Sequence, residues 1–234
     1  MMDEKVGRDE EQFVMEQLIS FIEKDNIEQF REQFFELHPY EQAQFYEKVT
    51  PPIRQKIYYY LSPQELAEVF QALEIDDDTY VEFLNEMDVS YAAAMLSEMN
   101  TDDVVDVFHE LDDEDRTQYL TLMDDETAEE IHELMQYADY TAGAIMTTEY
   151  VSINENSTTR MAMNILRNEA PTAETIYYIF ITNMKKQLVG VISLRDLIVA
   201  GENVLIRDVM NERVVSVQAS DDQEEVAQIM RDYN

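Results

Sequence analysis

The residues best able to do chemistry in this chain are carboxylates, and many of them recur in one repeated phrase. The stretch from Met99 to Met135 reads MNTDDVVDVFHEL, then LDDEDRTQYLTLM, then MDDETAEEIHELM. Two carboxylates about 4 Å apart repel by about 4 kcal/mol at an effective dielectric constant of about 20. A hydrated Mg²⁺ ion relieves that repulsion with only one or two protein oxygens, because it keeps several of its waters. The phrase therefore predicts surfaces that collect hard divalent cations.

A simpler role for these acids is to cap helices. Short acidic residues accept hydrogen bonds from the first backbone N–H groups of a helix and interact favourably with its dipole. Asp112 and Asp124 stand at predicted helix starts, and we expect them to be caps. A calcium loop of the EF-hand type is excluded because these acidic runs lack its central glycine and its ligand spacing.

The overall charge limits the partners of the chain. The 51 Asp and Glu residues outnumber the 16 Lys and Arg residues, which gives a net charge of −35. This charge argues against nucleic acid or an anionic membrane face and favours cations or a basic partner. There is no cysteine, so disulfides and thiolate metal sites are excluded. The first residues lack the apolar core of a signal peptide, and no apolar run is long enough to span a bilayer, so we expect a soluble chain or the soluble part of a larger protein.

The first half of the chain has the pattern of helix after helix. Between Gly7 and Gly143 there is no glycine, and residues 10–24 and 26–37 show apolar positions three and four apart. Farther on, an apolar anchor recurs every twelve residues, apart from a two-residue insertion. The anchors are Leu37, Val49, Leu61, Leu73, Met87, Met99, Leu111, Met123 and Met135. A helix of this length cannot bury its apolar face alone, so the period predicts a superhelix of stacked short helices over residues 1–136.

Start signals and apolar stripes fit this repeat. Ser62, followed by proline, has the pattern of an N-cap with proline at the first helical position. Comparable start positions are Asp88, Thr101, Asp112 and Asp124. The apolar stripe predicted to form the core consists of Met95, Val104, Phe108, Met123 and Met135.

After Gly143 the pattern changes to alternating strands and helices. Residues 151–153, 175–182 and 188–193 are rich in β-branched and aromatic types, which favours strands. Residues 157–170 and 194–200 have helical patterns, so the region is predicted to be an α/β unit.

This unit begins twice. Residues 145–167 align without gaps with residues 209–231, including Met146 with Met210 and Ile165 with Ile229. We therefore expect one module over 137–200 and the start of a second over 201–234, incomplete because it stops after its first helix.

The duplicated module, which closes on GVISLRDL, resembles a CBS-domain pair. The order of acidic twelve-residue helices, YADYTAGAIMTTEYVSI, ETIYYIF, GVISLRDLIVA and DDQEEVAQIMRDYN resembles the cytosolic region of MgtE-type magnesium transporters, over nearly all of residues 30–234. The resemblance implies an α + α/β architecture, in which a superhelix of short helices precedes the CBS pair. It also implies a homodimer through the CBS modules, a membrane pore domain that follows them, a place at the cytoplasmic face of the membrane, and a magnesium-sensing role.

The same resemblance implies where Mg²⁺ binds. Bridging acids of the family lie at the turn that here carries Glu98 and Asp102, facing a linker whose Gly143 offers a backbone carbonyl. On the CBS side, the second copy has Asp221, Asp222 and Glu224 where the first copy has Ser157, Thr158 and Arg160. Acids present in one copy alone indicate a local function, although helix capping is an equal alternative.

The resemblance also implies a nucleotide site, with ATP as a second candidate ligand. Ser193 and Asp196 match the adenosine pattern of CBS domains, with the aspartate accepting from ribose hydroxyls and the serine near phosphate. Tyr178 would pack against the base and Arg195 would meet phosphate. The alternative is that Ser193 caps a helix and Asp196 lies in its first turn.

An enzyme is not expected. The chain has no glycine-rich phosphate loop and no G-x-S-x-G elbow, and His38, His109 and His132 lie in separate repeats without metal-ligand spacing. The hypothesis is a magnesium sensor in which ions draw acidic modules together and their loss lets the modules separate. An adenine-nucleotide-sensing CBS protein with a helical docking scaffold is the main alternative, and a pure interaction scaffold is a third.

Overall fold

The computed structural model describes residues 3–233, which form two compact units. The first contains the residues up to Met99 together with Asp103–Ile131, and the second contains Asn100–Asp102 together with the residues from His132 onward. The helices that begin before residue 132 are α1 (Asp3–Glu23), α2 (Ile27–Phe34), α3 (Pro39–Lys48), α4 (Pro51–Tyr60), α5 (Pro63–Gln71), α6 (Asp77–Asn85), α7 (Val89–Leu96), α8 (Thr101–Glu110), α9 (Asp113–Leu122) and α10 (Asp125–Leu134). They are followed by β1 (Tyr150–Asn154), α11 (Thr159–Glu169), β2 (Thr175–Thr182), β3 (Leu188–Ser193), α12 (Leu194–Val199) and α13 (Gln223–Tyr233).

The first unit is the superhelix that the twelve-residue period predicts. Alternate helices stack, with α3 on α5, α5 on α7 and α7 on α9. The largest side chains between them are fully buried, among them Phe30, Phe34, Tyr46, Phe70 and Phe108. Each helix has only two or three turns, so its apolar face is removed from water by its neighbours rather than by its own length.

Several of the apolar anchors lie at the C-terminal ends of helices. Val49, Leu61 and Met123 are the C-cap residues of α3, α4 and α9, and each is buried. The expectation was wrong at Met135, which is only half-buried, whereas the preceding Leu134 is buried. Because successive helical residues differ by about 100° in direction, a shift of one position changes the face that reaches the core.

Four of the five predicted start residues are N-caps, whereas the prediction was wrong at Thr101, which is the first residue of α8. The Ser62 hydroxyl accepts from the Glu65 N–H while the Glu65 carboxylate accepts from the Ser62 N–H, which makes a capping box. Asp88 and Asp112 cap α7 and α9. Asp124 accepts from the N–H groups of the second and third residues of α10. The capping interpretation of Asp112 and Asp124 is confirmed.

Two arginines connect helices that are far apart in sequence. Arg54, whose side chain is 8% exposed, binds both carboxylate oxygens of Glu86 at 2.6 and 2.7 Å and lies over the Phe83 ring at 4.4 Å. Arg31 forms the same kind of fork with Glu65 at 2.5 and 2.9 Å and donates to the Tyr60 carbonyl. Such two-point ion pairs hold their geometry because each guanidinium has several fixed donors.

The second unit contains a three-stranded sheet of order β1-β2-β3. β1 pairs in parallel with β2 through the crossover helix α11, and β2 pairs antiparallel with β3. Its core is formed by aliphatic residues that alternate along the strands and by one face of α11 and α12. The core residues are Val151, Ile153, Ala162, Leu166, Ile179, Ile181, Ile192, Leu197 and Ile206. The α + α/β fold class is confirmed.

The second copy of the repeat forms only its helix in the described residues. α13 corresponds to α11, but residues 214–218, which align with β1, form no strand. Every residue of α13 is at least partly exposed. In the first copy, β1 is stabilised by its strand pairing with β2. Residues 214–218 of the second copy form no such strand pairing.

The Arg31–Glu65 pair generates a prediction about acid stability. The Arg31 guanidinium, together with the Ser62 N–H and hydroxyl, lowers the pKa of Glu65 to about 2. A carboxyl group whose pKa is lower in the folded state stabilises the fold fully when the pH is above its unfolded-state pKa. This stabilisation is lost as the pH falls towards the folded-state pKa. We expect Glu65→Gln to lower the free energy of unfolding of wild type by roughly 1–3 kcal/mol at pH 7, allowing for solvent screening of a partly exposed pair. The difference should shrink between pH 5 and pH 2.5.

Urea unfolding followed by far-UV circular dichroism at pH 7, 5 and 2.5 measures this difference. The matched control is Glu68→Gln, which removes an exposed carboxylate from the same helix. A difference between wild type and Glu65→Gln that stays constant down to pH 2.5 would contradict the assignment.

Candidate functional site

The acidic start of α13 is held against the segment that contains Gly143. Residues 142–145 form a 3₁₀ turn, and the Ala142 and Gly143 N–H groups donate to the carbonyls of Asp221 and Ala219, both at 2.8 Å. In return, the Gln223 N–H donates to the Tyr140 carbonyl at 2.9 Å. The structure therefore brings Gly143 near Asp221 and Asp222 through backbone hydrogen bonds, although they are almost eighty residues apart in sequence.

The acids at this start also have local roles. The Asp222 carboxylate accepts from the Glu224 and Glu225 N–H groups at 2.9 and 3.3 Å, so it caps α13. The Asp221 carboxylate accepts from the Gln218 N–H at 2.8 Å. Glu224 is exposed. The capping alternative thus holds for Asp222, and each carboxylate still has further lone pairs for water or a cation.

Gly143 occupies a position where only glycine fits. A Cβ atom on this residue would collide with the Tyr137 ring, so the turn can approach the ring only without a side chain. Ala142 and Gly143 are both buried in this turn. The contact with the Tyr137 ring is the physical reason for glycine at the position predicted to supply a carbonyl ligand.

The other two predicted metal ligands, Glu98 and Asp102, lie on either side of the start of α8. Glu98 is exposed in the turn after α7. Asp102 lies in the first turn of α8 and is half-buried. Across residues 3–233, no group of three or more Asp, Glu or His side chains is arranged to hold a metal ion. The donor types present, carboxylates and a backbone carbonyl, suit a hydrated Mg²⁺ ion that takes one or two protein oxygens.

The four predicted nucleotide residues line a single cleft of about 800 Å³ at the end of β3. Tyr178 lies opposite Ser193 in the β2–β3 ladder, and both Tyr178 and the neighbouring Tyr177 are largely exposed there. Ser193 caps α12 by accepting from the Asp196 N–H, and its hydroxyl donates to the Asp196 carboxylate at 2.7 Å. The capping alternative is therefore also present, in a cleft whose volume suits a small ligand.

Tyr177 was missed by the sequence reasoning, which chose only one of the two adjacent tyrosines. In a regular strand, neighbouring side chains point to opposite faces. At this end of β2 both side chains line the cleft. Only the position of the strand end relative to α12 could reveal this.

Glu149 is a second residue that the sequence did not indicate. One of its carboxylate oxygens accepts from the Thr101 N–H at 2.9 Å and the Thr101 hydroxyl at 2.6 Å, while the other accepts from the Thr147 hydroxyl at 2.7 Å. Burial alone raises the pKa of Glu149, but these hydrogen bonds outweigh it and hold the pKa below its ordinary value. Thr101 belongs to the second unit, so Glu149 fixes the residue next to Asp102 within that unit.

A superhelix of short helices followed by an α/β module with a cleft at the end of β3 is the arrangement of a protein that contains CBS domains. Residues 37–140 match the MgtE intracellular N domain, and residues 142–203 and 206–234 match the CBS domain. The chain belongs to the MgtE family.

Named relatives agree with this assignment. The chain is 57% identical over 225 residues to the magnesium transporter MgtE of Enterococcus faecalis, covering 96% of this chain and 49% of that protein. It is 33% identical over 217 residues to that of Bacillus subtilis, covering 93% and 48%. The chain thus spans about half the length of these curated relatives.

Solved structures show the same fold. The soluble part of a magnesium transporter superposes with a TM-score of 0.91 at 50% identity, covering 95% of this chain and 87% of the other. The cytosolic domain of the Mg²⁺ channel MgtE in complex with ATP superposes with a TM-score of 0.81 at 33% identity, covering 92% and 88%. None of the helices between residues 3 and 233 combines the length and apolarity that crossing a bilayer requires.

The Glu149 hydrogen bonds generate a stability prediction. In Glu149→Gln, the amide NH₂ group would replace an oxygen that now accepts from the Thr148 N–H, so one donor would face another. We expect the free energy of unfolding to fall by roughly 1–3 kcal/mol, the usual cost of leaving a half-buried donor without an acceptor. We also expect faster amide hydrogen exchange at Thr148, whose N–H loses its acceptor.

Urea unfolding and hydrogen exchange measure these two effects. Glu169→Gln, an exposed change at the end of α11, is the matched control. Unchanged exchange at Thr148 in the Glu149 variant would show that the carboxylate does not hold this turn.

Proposed function

We propose that this chain is the Mg²⁺-sensing regulatory region of a magnesium transporter, at the cytoplasmic face of the membrane. In this proposal it works as a homodimer through its CBS modules and controls a membrane pore domain of the same protein. The transporter activity belongs to the named relatives, and its extension to this chain rests on 57% identity over 96% of the chain.

The observation that carries the sensing role is the acidic start of α13, seated against the Gly143 turn. Asp221, Asp222 and Glu224 are concentrated where the backbone of residues 140–143 also approaches. The first copy of the repeat has no acid at the equivalent positions. Oxygen donors of this kind, in a chain of net charge −35, favour a hydrated divalent cation over a monovalent one.

The mechanism follows from electrostatics. At high Mg²⁺, hydrated ions neutralise the carboxylates of the N domain and of the CBS modules, which lets acidic surfaces approach. When Mg²⁺ falls, the uncompensated charges repel and the equilibrium shifts towards a separated state. The ion shifts this equilibrium only by the difference between its affinities for the two states. A compact, ion-loaded state would keep the pore closed.

We expect Mg²⁺ to reduce the scattering radius and the protease sensitivity of the chain in the millimolar range. The combined change Asp221→Asn, Asp222→Asn and Glu224→Gln should weaken calorimetric Mg²⁺ binding by roughly tenfold, equivalent to about 1.4 kcal/mol. Asn caps a helix about as well as Asp, so these changes remove charge while retaining the cap of α13.

The control removes the same number of charges elsewhere, through Glu114→Gln, Glu129→Gln and Glu133→Gln on exposed faces of α9 and α10. Equal weakening in both variants would indicate a diffuse ion atmosphere rather than a site at α13. A wild-type chain whose radius and Mg²⁺ heat do not respond to the ion would contradict the sensor.

A second candidate function is ATP sensing, favoured by the cleft that collects Tyr178, Ser193, Arg195 and Asp196. The related cytosolic domain was solved in complex with ATP. In this proposal the exposed tyrosine rings stack on adenine, the Asp196 carboxylate accepts from the ribose, and Arg195 meets phosphate. Nucleotide binding here would be regulatory.

We expect ATP to bind the wild-type chain in calorimetry, and Tyr178→Ala and Asp196→Ala each to weaken it. Loss of one stacked ring costs roughly 1–3 kcal/mol, or about fivefold to more than a hundredfold in affinity. Tyr59→Ala, which removes a tyrosine that is 86% exposed in the first unit, is the matched control. ATP affinity that is unchanged in both cleft variants would place the nucleotide elsewhere.

A further inference from the structure

A cavity between α5, α6 and α8 has no role in the functions proposed above. Its volume is about 170 Å³, and its lining residues all belong to the first unit. Phe70 of α5, Tyr80 and Val81 of α6, and Val107 of α8 contribute apolar and aromatic surface. We call it the α5–α8 cavity. It is separate from the acidic start of α13 and from the cleft at the end of β3, which both belong to the second unit.

The floor of the cavity is aromatic and is held in place by its own contacts. Phe70 and Met99 are buried, and the rings of Phe70 and Tyr80 lie 5.1 Å apart, almost perpendicular to each other. The Tyr80 hydroxyl donates to the Met99 sulfur at 3.4 Å. Aromatic faces attract ammonium groups, and apolar surface accepts methylene chains. The floor is therefore suited to an organic cation.

One wall of the cavity is acidic. The charged residues among its described lining are Asp103, Asp106 and Glu110, all on α8. Burial and the Asp103 carboxylate raise the pKa of Tyr80, which places this carboxylate close to the floor. Glu110 is the last residue of α8, where the backbone carbonyls add further negative potential. The wall therefore favours positive charge along its whole length.

The spacing of these acids distinguishes between cations. They are three and four residues apart, so they form one stripe on α8, with steps of about 4.5 and 6 Å along the helix axis. Among residues 3–233, no group of three or more acids or histidines is arranged to hold a single metal ion. Nitrogens joined by three or four methylene groups are about 5 or 6 Å apart in an extended chain. A linear polyamine has this spacing.

We propose that the α5–α8 cavity binds a linear aliphatic polyamine. Its ammonium groups pair with Asp103, Asp106 and Glu110, and its methylene groups lie on the rings of Phe70 and Tyr80. The chain would then bind an organic polycation in its first unit, at a site separate from the one proposed for Mg²⁺. This inference does not depend on the proposed magnesium sensing.

Calorimetric titration with spermidine tests the site. About 0.15 M salt limits the Debye length to about 8 Å and so weakens diffuse attraction to the acidic surface. The lining variant carries Asp103→Asn, Asp106→Asn and Glu110→Gln. We expect it to bind spermidine roughly tenfold more weakly than wild type, because three partly exposed ion pairs are lost.

The matched control removes the same number of charges from exposed positions of α9 and α10, through Glu114→Gln, Glu129→Gln and Glu133→Gln. We expect it to bind spermidine like wild type. Equal weakening in the two variants would assign spermidine to a diffuse ion atmosphere and overturn the site.

Filling the cavity gives a second measurement that leaves the charge unchanged. Val107 lines the cavity and is half-buried, so Val107→Phe occupies part of the space. We expect spermidine binding to weaken while far-UV circular dichroism stays like that of wild type. Val107→Leu fills less of the cavity and should weaken binding less, which keeps the test available if the larger ring disturbs the fold. Unchanged binding in folded variants of both kinds would overturn the site.

The remaining outcomes are also decisive. A wild-type chain that binds an arginine-rich peptide but not spermidine would assign the cavity to a basic protein segment and overturn the polyamine site. The combined change at Asp221, Asp222 and Glu224 should leave spermidine binding unchanged, and the lining variant should retain the Mg²⁺ response of wild type. Failure of the polyamine site is thus distinguishable from failure of the proposed sensor.

Discussion

The structure depends on how a chain with 51 acidic and 16 basic side chains accommodates its negative charge. Repulsion among carboxylates opposes every compact state, and only a few cations are available to offset it. The buried fork between Arg54 and Glu86 shows where one of those cations is used. An acid near the core is tolerated there because a guanidinium satisfies both of its oxygens. Many of the described acids are exposed at the surface, where ions in solution can reach them.

Helix starts are the second place where negative charge is accommodated. A fold made of short helices contains many N-termini, each with N–H groups that lack an internal acceptor. Asp88, Asp112, Asp124 and Asp222 supply acceptors at such positions. Acidity and short repeat length are therefore connected, since the architecture that multiplies helix starts also multiplies favourable sites for carboxylates. In the proposed function, a hydrated ion would join carboxylates that capping has already positioned.

The CBS region combines this acidity with a different arrangement of side chains. Its sheet holds the cleft of Tyr178 and Asp196 on one side, while α11 presents arginines on another surface. The two copies of the repeat have diverged in charge, with Arg160 in the first where Glu224 stands in the second. Divergence of this kind converts a duplicated module into two unlike surfaces. In the functions proposed above, the ion and the nucleotide each act on a separate part of this unit.

Much of the fold follows from local patterns in the sequence. The twelve-residue period, the Ser62 and Asp112 caps and the strands around Ile153 and Ile179 depend on contacts a few residues apart or on strand alternation. The family assignment also followed from the order of such motifs, and the comparisons confirm it. The pattern was misleading at Met135, where one residue of helical rotation decides which side chain reaches the core.

The candidate sites likewise combine features that the sequence indicated with features that only the tertiary structure shows. Residue types and the difference between the two repeats favoured Asp221 and Asp222, and the resemblance to CBS domains favoured Ser193. The sequence could not show that Asp221 accepts from the Ala142 N–H, that Glu149 holds Thr101 across 48 residues, or that Tyr177 joins Tyr178 in one cleft. Those contacts join segments far apart in the chain, and their partners carry no local signature. Tertiary structure decides them because only packing of the whole unit determines which distant donors and acceptors meet.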